Sequence, residues 1–220
     1  MKRLMVLCMV LMVCFSITTA QNDLKPVTDV NTLTSKINTE MKKVSSLQSK
    51  FKQVKHIATM KSDLISNGNF FYSKSDKVCL EYTSPMEYLI VINGSKIKMD
   101  MNGKKTVYDV SSNGLMQEMV TVISSCMTGN IKTLNSKYKI EYFQNEKEYV
   151  IKVYPTDSKV KNLIYEVDLH LSKSDMSVSS MKMIEASKNA KANDIDFTEY
   201  IYTEKKLNGT IPADKFNVQK

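Results

Sequence analysis

Two kinds of spacing between apolar residues divide the chain into an early helix and a long series of strands. In residues 29–45 apolar side chains recur every three or four positions, which predicts a helix with one narrow apolar stripe. The stripe consists of Leu33, Ile37, Met41 and Val44. Asp29 and Asn31 are both suitable N-caps for this helix. Because the stripe is narrow, we expect the helix to lie on an apolar surface rather than inside a core.

From Leu47 onward the period changes to two, which is the period of a strand with one buried face. Asn-Gly steps at 67–68, 93–94 and 102–103 separate several of these alternating runs. Because Asn and Gly both tolerate positive φ, we interpret each step as a hairpin turn. The most regular alternation is near the end of the chain. Its predicted inner face is Leu163, Tyr165, Val167, Leu169 and Leu171.

A second helix is predicted to interrupt the strands at about 114–128, and Gly129 suits its end. Its predicted apolar side is Leu115, Met116, Met119, Ile123 and Met127. The order of helix, antiparallel strands, inserted helix and further strands predicts a mainly β (α+β) fold. We expect one curved antiparallel sheet with helices on one face. No internal repeat or linker divides residues 21–220, which we treat as a single domain.

Residues 1–20 have the layout of a cleaved secretory signal peptide. Two basic residues precede an apolar run, residues 4–17, that is shorter than the ~20 residues needed to span a bilayer. Small residues at the two required offsets allow cleavage before Gln21. An uncleaved N-terminal anchor is the alternative. We expect the rest of the chain to fold outside the cytoplasm, in a bacterial periplasm.

The chain is basic, with 31 Lys and Arg against 23 Asp and Glu and a net charge of +8. Arg3 is its only arginine, so the predicted mature part relies on lysine alone. Nucleic-acid-binding proteins use the arginine fork to contact phosphate. Since the lysines are also spread evenly, we interpret them as a solvated surface and expect no nucleic-acid partner.

Familiar catalytic and metal-binding motifs are missing from the sequence. It lacks the Gly-x-Ser-x-Gly elbow, the P-loop, the dinucleotide fingerprint and His-Glu-x-x-His. His56 and His170 stand in separate predicted strands, and Glu166 and Asp168 share a predicted solvent-facing side. We therefore expect a binding protein rather than an enzyme, without a metal or a cofactor.

Cys79 and Cys126 are the only cysteines after the predicted signal peptide. In an oxidising compartment they are a possible disulfide, and a buried free pair is the alternative. If Val78 and Leu80 face the interior, Cys79 faces outward, which is unfavourable for pairing with a cysteine in the second helix.

The sequence also has 15 Met and 11 Tyr but no Trp. Methionine is flexible and adapts to irregular partners. A sheet that is apolar on one side and covered by methionine-rich helices can enclose either a dry core or an adaptable cavity.

Six pieces of the sequence, in their order and spacing, resemble the periplasmic outer-membrane lipoprotein carrier family (LolA-like). The pieces are VSSLQSKFKQ (44–53), GNFFYSKSDKVCLEYTSP (68–85), LIVINGSKI (89–97), VYDV (107–110), YVIKVYP (149–155) and IPADKFNV (211–218). The resemblance covers nearly all of residues 28–218. It implies an open, incomplete antiparallel β-barrel with a helical lid on its concave face.

The resemblance further implies a carrier whose apolar interior takes the acyl chains of lipoproteins. Such a carrier receives its cargo from an inner-membrane ABC-type exporter and passes it to an outer-membrane acceptor, without a cofactor. A carrier of another lipid or glycolipid is one alternative. A non-enzymatic envelope interaction protein is the other.

On this interpretation we assign a lipid-binding wall, a lid and a latch. The predicted wall on the sheet is Phe51, Phe70, Tyr72, Val78, Leu80, Tyr82, Ile97 and Met99. The predicted lid is Leu33, Ile37, Met41, Leu115, Met119 and Ile123. The family carries an arginine that hydrogen-bonds its lid closed, and Lys74 stands at that position here. Because lysine lacks the planar fork, Lys74 is a latch candidate with a solvated turn lysine as its alternative.

Overall fold

The computed structural model describes residues 23–74, 77–128, 130–134, 137–186 and 195–219. The predicted signal peptide, Gly129 and the side chain of Met127 lie outside the described residues.

The described residues form one antiparallel sheet of twelve strands that is not closed into a barrel. The strands are β1 Lys25–Pro26, β2 Ser46–His56, β3 Leu64–Ser73, β4 Lys77–Ser84, β5 Tyr88–Asn93, β6 Lys96–Met101, β7 Lys104–Asp109, β8 Tyr138–Gln144, β9 Glu148–Pro155, β10 Ile164–Ser172, β11 Val178–Glu185 and β12 Phe197–Leu207. Their order across the sheet is β1-β8-β9-β10-β11-β12-β2-β3-β4-β5-β6-β7. Side chains from β6 and from β8 pack against one apolar core, so the sheet curves around it.

Helices cover the concave side of this sheet. They are α1 Val30–Lys43, α2 Gly114–Thr128 and α3 Ser158–Lys161, with a short 3-10 helix at Ile131–Leu134. A second 3-10 helix, Ala213–Phe216, packs on the outer face against β4 and β5. Asp29 is the N-cap of α1, because its carboxylate accepts a hydrogen bond of 2.9 Å from the amide of Thr32. Ile37 of α1 and Val122 of α2 are both buried in the core. The predicted fold class is therefore confirmed.

Two of the three predicted Asn-Gly turns are confirmed. Gly94, with a φ of +59°, joins β5 to β6, and Asn102 and Gly103, with φ values of +53° and +79°, join β6 to β7. The prediction for Asn67-Gly68 is wrong, because both residues lie inside β3. Glycine is needed at this position because the ring of Phe51 in β2 lies against it.

The alternation predicted at residues 163–171 is correct only in its second half. Leu163 and Tyr165 are exposed, whereas Ile164 is buried in the core. The pairing of β10 with β11 shifts between Ile164 and Glu166 and leaves Tyr165 as an extra residue. Such a bulge reverses the faces of the residues that precede it.

Candidate functional site

The predicted wall and the predicted lid meet in one apolar core on the concave face of the sheet. Its fully buried members from the predicted set are Leu33, Ile37, Phe51, Phe70, Val78, Leu80 and Tyr82. Partly buried members that pack against them are Met41, Tyr72, Ile97, Met119 and Ile123. The structure thus brings together both sides of the site that the sequence predicted.

Strand register explains why the wall residues share one face. Residues directly opposite each other in an antiparallel pair point to the same side of the sheet. One row is Phe70, Leu80, Ile90 and Met99, and the next is Tyr72, Val78, Ile92 and Ile97. The wall is therefore a continuous apolar surface across β3, β4, β5 and β6.

Two predicted site residues lie outside the described core cluster. Met99 is half-buried on the concave face of β6, close to the open edge formed by β7. Leu115 is half-buried in the first turn of α2, where it lines a pocket of about 970 Å³ with Glu118 and Lys137. The pocket is polar, so Leu115 is not part of the apolar lid.

The buried face of α2 differs from the predicted stripe. Val122 and Cys126 are fully buried, whereas Met116 is exposed. Glu118 fixes this orientation, because its carboxylate accepts hydrogen bonds of 2.7 Å from Lys137 and 2.6 Å from the hydroxyl of Tyr138. The helix is apolar on more than one side, so its periodicity alone left the buried face ambiguous.

Phe51 and Gly68 approach each other closely in the wall. They are opposite each other in β2 and β3, and the Phe51 ring lies where a side chain at 68 would be. A Cβ on Gly68 would be 2.7 Å from that ring and 2.2 Å from the carbonyl oxygen of Glu81. Glycine is therefore required inside this strand by close approach and not by a turn.

Aromatic rings surround Phe51 at one end of the wall. Its ring centroid lies 4.9 Å from that of Tyr82 and 5.8 Å from that of Tyr200, and Tyr82 stacks on Tyr88 at 3.8 Å. The hydroxyl of Tyr82 donates to Gln53 at 2.6 Å and lies 3.1 Å from the hydroxyl of Tyr200. Burial raises the pKa of Tyr82 and that of Tyr200, so both stay neutral.

Sequence reasoning missed the contribution of β12 to this wall. Phe197 and Ile201 lie on one face of this strand, and Tyr200 and Tyr202 on the other face are the ones that pack in the core. Tyr202 lies opposite Phe51, and its ring is 5.2 Å from that of Phe70. Because both faces of β12 carry large apolar side chains, only the pairing with β2 reveals the inner one.

Tyr202 brings a polar atom deep into the apolar core. Its side chain is buried, and its hydroxyl has no hydrogen-bond partner within the part of the chain that the structure describes. Burial raises the pKa of this hydroxyl well above its usual value, so it remains a neutral donor. A buried hydroxyl without a partner is costly, and it is free to donate to a ligand oxygen.

Lys74 connects the sheet to the end of α1. Its ammonium Nζ donates to the carbonyl oxygen of Lys42 at 3.0 Å, and its backbone amide donates to that of Ser45 at 3.0 Å. The last carbonyls of a helix lack partners within the helix, and a cation there is favourable. The latch candidate therefore contacts α1, through one exposed hydrogen bond.

The two cysteines lie on opposite sides of the sheet and are both free thiols. Cys126 belongs to the concave core, whereas Cys79 packs with Val91 and Phe216 on the outer face. The possible disulfide is therefore not formed, because β4 separates the two sulfur atoms. Burial raises the pKa of each thiol to about 12, which makes both unreactive.

Glu166 and Asp168 are shielded on the outer face rather than solvated as predicted. The Nζ of Lys152 lies 2.5 Å from a carboxylate oxygen of Glu166 and 3.4 Å from Asp168. Burial and the neighbouring Glu166 raise the pKa of Asp168 to about 7. Burial also opposes ionisation of Glu166, but hydrogen bonds from Asp168 and Lys152 leave its pKa below its usual value.

The two histidines lie in separate places, each beside a single carboxylate. His56 lies 2.8 Å from Asp63, and His170 lies 3.1 Å from Glu148. Within the described ranges no group of three or more His, Cys, Asp or Glu side chains is arranged to hold a metal ion. None of the helices in those ranges is both long enough and apolar enough to span a membrane.

The sequence matches the family model described as "Outer membrane lipoprotein carrier protein LolA" over residues 42–219. None of the curated proteins matches the chain. Among solved structures, a LolA superfamily protein from Nitrosomonas europaea has 12% identity and a TM-score of 0.43, covering 83% of this chain and 96% of that one.

Two further solved structures are similar to this chain. A putative outer membrane lipoprotein-sorting protein domain from Vibrio parahaemolyticus has 10% identity and a TM-score of 0.46, covering 84% of this chain and 95% of its own. The lipoprotein LppX from Mycobacterium tuberculosis has 8% identity and a TM-score of 0.40, covering 84% and 96%.

Proposed function

Since this chain belongs to the outer-membrane lipoprotein carrier (LolA) family, we propose that it is a periplasmic carrier that holds the acyl chains of lipoproteins on its concave face. In this proposal the cargo comes from an inner-membrane ABC-type exporter and goes to an outer-membrane acceptor. The protein is a carrier and not an enzyme, and it needs no cofactor. Residues 1–20 are the signal that exports it.

The observation that carries the proposal is that an amphipathic helix, α1, covers the apolar wall of the sheet with only a narrow apolar stripe. Among the residues of α1, only Leu33 and Ile37 are buried. Its C-terminal end is tied to the sheet by the exposed hydrogen bond from Lys74 to Lys42. An acyl chain that displaces Leu33 and Ile37 exchanges one apolar contact for another, so opening costs little once cargo is present.

The size of the hydrophobic effect explains why such a carrier is needed. Each buried CH₂ contributes ~0.8 kcal/mol of favourable free energy. Transfer of a chain of fifteen methylenes from an apolar site into water therefore costs ~12 kcal/mol. Covering the chain with Phe70, Leu80 and their neighbours removes most of that cost. The half-buried Met119 and Met41 suit a lining that must accept and release cargo, because methionine adapts its shape at low cost.

The hydroxyl of Tyr202 gives the wall a place for the polar end of an acyl chain. It is buried, neutral and without a partner among the described residues. The ester or amide carbonyl that links an acyl chain to its carrier polypeptide is an acceptor for this donor. We therefore assign Tyr202 to the carbonyl and the rows of Phe70 and Tyr72 to the methylenes.

Uptake of an apolar fluorescent probe by the purified protein tests the site. Ile123→Glu places a charge on the half-buried side of α2, and we expect it to abolish uptake because a carboxylate is poorly tolerated in an apolar core. Met116→Glu on the exposed side of the same helix is the matched control and should bind like the wild type. Equal uptake by both variants would place the cavity elsewhere.

A further inference from the structure

Two buried serines of β2 differ in how their hydroxyl groups are satisfied. The hydroxyl of Ser46 donates to the carbonyl oxygen of Gly209 at 2.6 Å. Ser49 is as well buried, at 6% exposure, but its hydroxyl has no hydrogen-bond partner among the described residues. It faces the concave core, because it lies directly opposite Phe70 in β3. A buried hydroxyl without a partner is costly, and such atoms are rare in folded proteins.

The unpartnered hydroxyl of Tyr202 belongs to the same part of the core. Tyr202 lies opposite Phe51, two residues along β2 from Ser49, and its ring is 5.2 Å from that of Phe70. Ser49 and Tyr202 are therefore diagonal neighbours on the concave face, a separation that an aromatic side chain can span. We call these two residues the hydroxyl pair.

The polar groups on the other side of Phe51 satisfy one another. Tyr200 lies opposite Gln53. The hydroxyl of Tyr82 donates to Gln53 at 2.6 Å and lies 3.1 Å from the hydroxyl of Tyr200. The wall thus completes the hydrogen bonds of one group of buried polar atoms and leaves the adjacent hydroxyl pair open. This contrast indicates that the hydroxyl pair is arranged for a ligand.

The backbone opposite Ser49 departs from a regular ladder. The pairing of β12 with β2 shifts between Thr203 and Lys206, so Glu204 and Lys205 together stand opposite Ser49. Glu204 has a φ of +52°, which is uncommon for a residue with a side chain. Bulges are frequent next to functional sites, where they redirect side chains. The bulge leaves Ser49 without a direct partner in β12.

An apolar row leads from Ser49 to the open edge of the sheet. The residues that lie opposite one another from β2 to β7 are Ser49, Phe70, Leu80, Ile90, Met99 and Thr106. Apolar side chains therefore fill the row between the buried hydroxyl and the edge strand. Neighbouring strands are about 4.8 Å apart, so the steps from β2 to β6 span about 19 Å. This distance is comparable with the length of an extended hexadecanoyl chain.

We propose that the hydroxyl pair binds the carbonyl that links an acyl chain to the rest of the cargo, and that the chain lies along this row with its tail toward β7. Tyr202 donates to the carbonyl oxygen. Ser49 donates to the second lone pair of that oxygen in an ester, or accepts from the N–H of an amide. This inference rests on the proposed function, and it adds a second residue that binds the linkage and the direction of the chain.

Displacement of the neutral dye N-phenylnaphthylamine tests the hydroxyl pair. The competitors are N-methyl hexadecanamide, methyl hexadecanoate and nonadecane, which have equal numbers of non-hydrogen atoms. Ser49→Ala should lower the affinity for the amide, relative to that for nonadecane, by about fivefold, and so should Tyr202→Phe, because each removes one hydrogen bond to the ligand. In Ser49→Ala, an equal fall for the ester identifies Ser49 as a second donor to the carbonyl. A fall for the amide alone identifies it as the acceptor of the N–H.

Ser46→Ala is the matched control on the same strand. It should lower the free energy of unfolding, because the bond to Gly209 is lost, and leave the affinity ratio unchanged. Ser49→Ala should not lower the free energy of unfolding, since its hydroxyl has no partner within the described ranges. An unchanged affinity ratio in Ser49→Ala overturns the proposal. A loss of stability in Ser49→Ala equal to that of Ser46→Ala also overturns it.

A photoreactive diazirine at the chain end of the amide tests the direction of the chain. Labelling of β6 and β7 is the expected result, and labelling of β12 around Tyr202 overturns the proposed direction. Displacement of the dye by nonadecane, with the affinity ratio unchanged in Ser49→Ala, retains the carrier function and overturns the hydroxyl pair alone. Displacement by none of the three competitors contradicts the carrier function and this proposal together.

Discussion

The Phe51 ring occupies the place that a side chain of Gly68 would need, and it fixes how β2 and β3 meet in the middle of the wall. The two residues are direct partners in the sheet, and a Cβ at position 68 would lie 2.7 Å from the ring. The same Cβ would lie 2.2 Å from the carbonyl oxygen of Glu81, which belongs to β4. Three strands are therefore held in register around one missing side chain.

Gly68→Ala is expected to lower the free energy of unfolding by about 2–3 kcal/mol, because neither the ring nor the backbone of β4 can move freely. Urea unfolding followed by circular dichroism measures the change. Gly114→Ala is the matched control, since a Cβ there meets nothing within 4 Å and the residue begins α2. Equal stability of the two variants would show that Phe51 has another position available.

Tyr202→Phe is expected to act in opposite directions on the empty and the loaded protein. It removes a buried hydroxyl that has no partner among the described residues, so the empty protein should become more stable by about 1 kcal/mol. Binding of an acylated peptide should weaken by a similar amount, about fivefold, because the carbonyl loses its donor.

Isothermal titration with an acylated peptide and with the matching alkane-like probe separates the two effects of Tyr202→Phe. The probe has no carbonyl, so its affinity should not fall. Tyr138→Phe is the contrasting variant, because the hydroxyl of Tyr138 already donates to Glu118 at 2.6 Å and its loss should destabilise the protein. A loss of stability in Tyr202→Phe would mean that its hydroxyl has a partner after all.

Lys74→Met is expected to loosen α1 while leaving the sheet unchanged. The variant loses the hydrogen bond from Nζ to the carbonyl of Lys42, which is exposed and worth at most about 1 kcal/mol. Hydrogen exchange in α1 and the rate of probe uptake should both rise by a few-fold. Lys74→Arg retains a donor and should behave like the wild type. Lys77→Met, just beyond the same turn, controls for the loss of a charge.

Asp168→Asn is expected to stabilise the protein at neutral and higher pH. The pKa of Asp168 rises from 3.8 to about 7 on folding, mainly because the carboxyl is buried. Between these values the folded state keeps a proton that the unfolded state releases, so the free energy of unfolding falls as pH rises through this window. Asparagine does not titrate, so the variant should lack this decline in the free energy of unfolding. Chemical denaturation at several pH values measures it.

Glu166→Gln is expected to have the opposite effect on stability at neutral pH, although Glu166 lies beside Asp168. The pKa of Glu166 is lowered from 4.5, so its ionised form stabilises the fold above that value and the contribution is lost as pH falls through the folded pKa. Glutamine should therefore destabilise the protein at neutral pH, where the contact with Lys152 at 2.5 Å is weakened. Identical pH profiles for the two variants would contradict the opposite directions of the two pKa shifts.

Two free thiols are expected in the native protein, even after purification without reductant. Cys79 and Cys126 belong to clusters on different sides of β4, and both have pKa values of about 12. Labelling with a thiol reagent should be slow in the folded state and complete after denaturation. An intact mass that rises by two hydrogen atoms on reduction would show a disulfide and contradict this arrangement.

The wall residues could be predicted from sequence because β2, β3 and β4 each have one clearly apolar face. In Phe51, Phe70 and Leu80 the period of two and the hydrophobic pattern agree, and a slip of one residue would expose them all. In β12 the hydrophobic pattern does not distinguish the two faces, since Phe197 and Ile201 are as apolar as Tyr200 and Tyr202. Only the partner strand decides such a case.

Other differences come from contacts that a local pattern does not contain. Asn67-Gly68 has the composition of a turn, but the ring of a residue in another strand places it inside β3. Glu166 lies next to a β-bulge, and the ammonium of Lys152 shields it from solvent. In both cases long-range packing overrides the local preference.

Mass spectrometry of the protein purified from its own cell envelope tests the carrier function most directly. Organic extraction of the folded protein should release a stoichiometric acylated polypeptide or lipid, and Ile123→Glu should be purified without it while Met116→Glu retains it. Release of a free lipid or glycolipid would keep the carrier function and change the cargo. A wild-type protein that carries no acyl chain, and whose core takes up no apolar probe, would contradict the account.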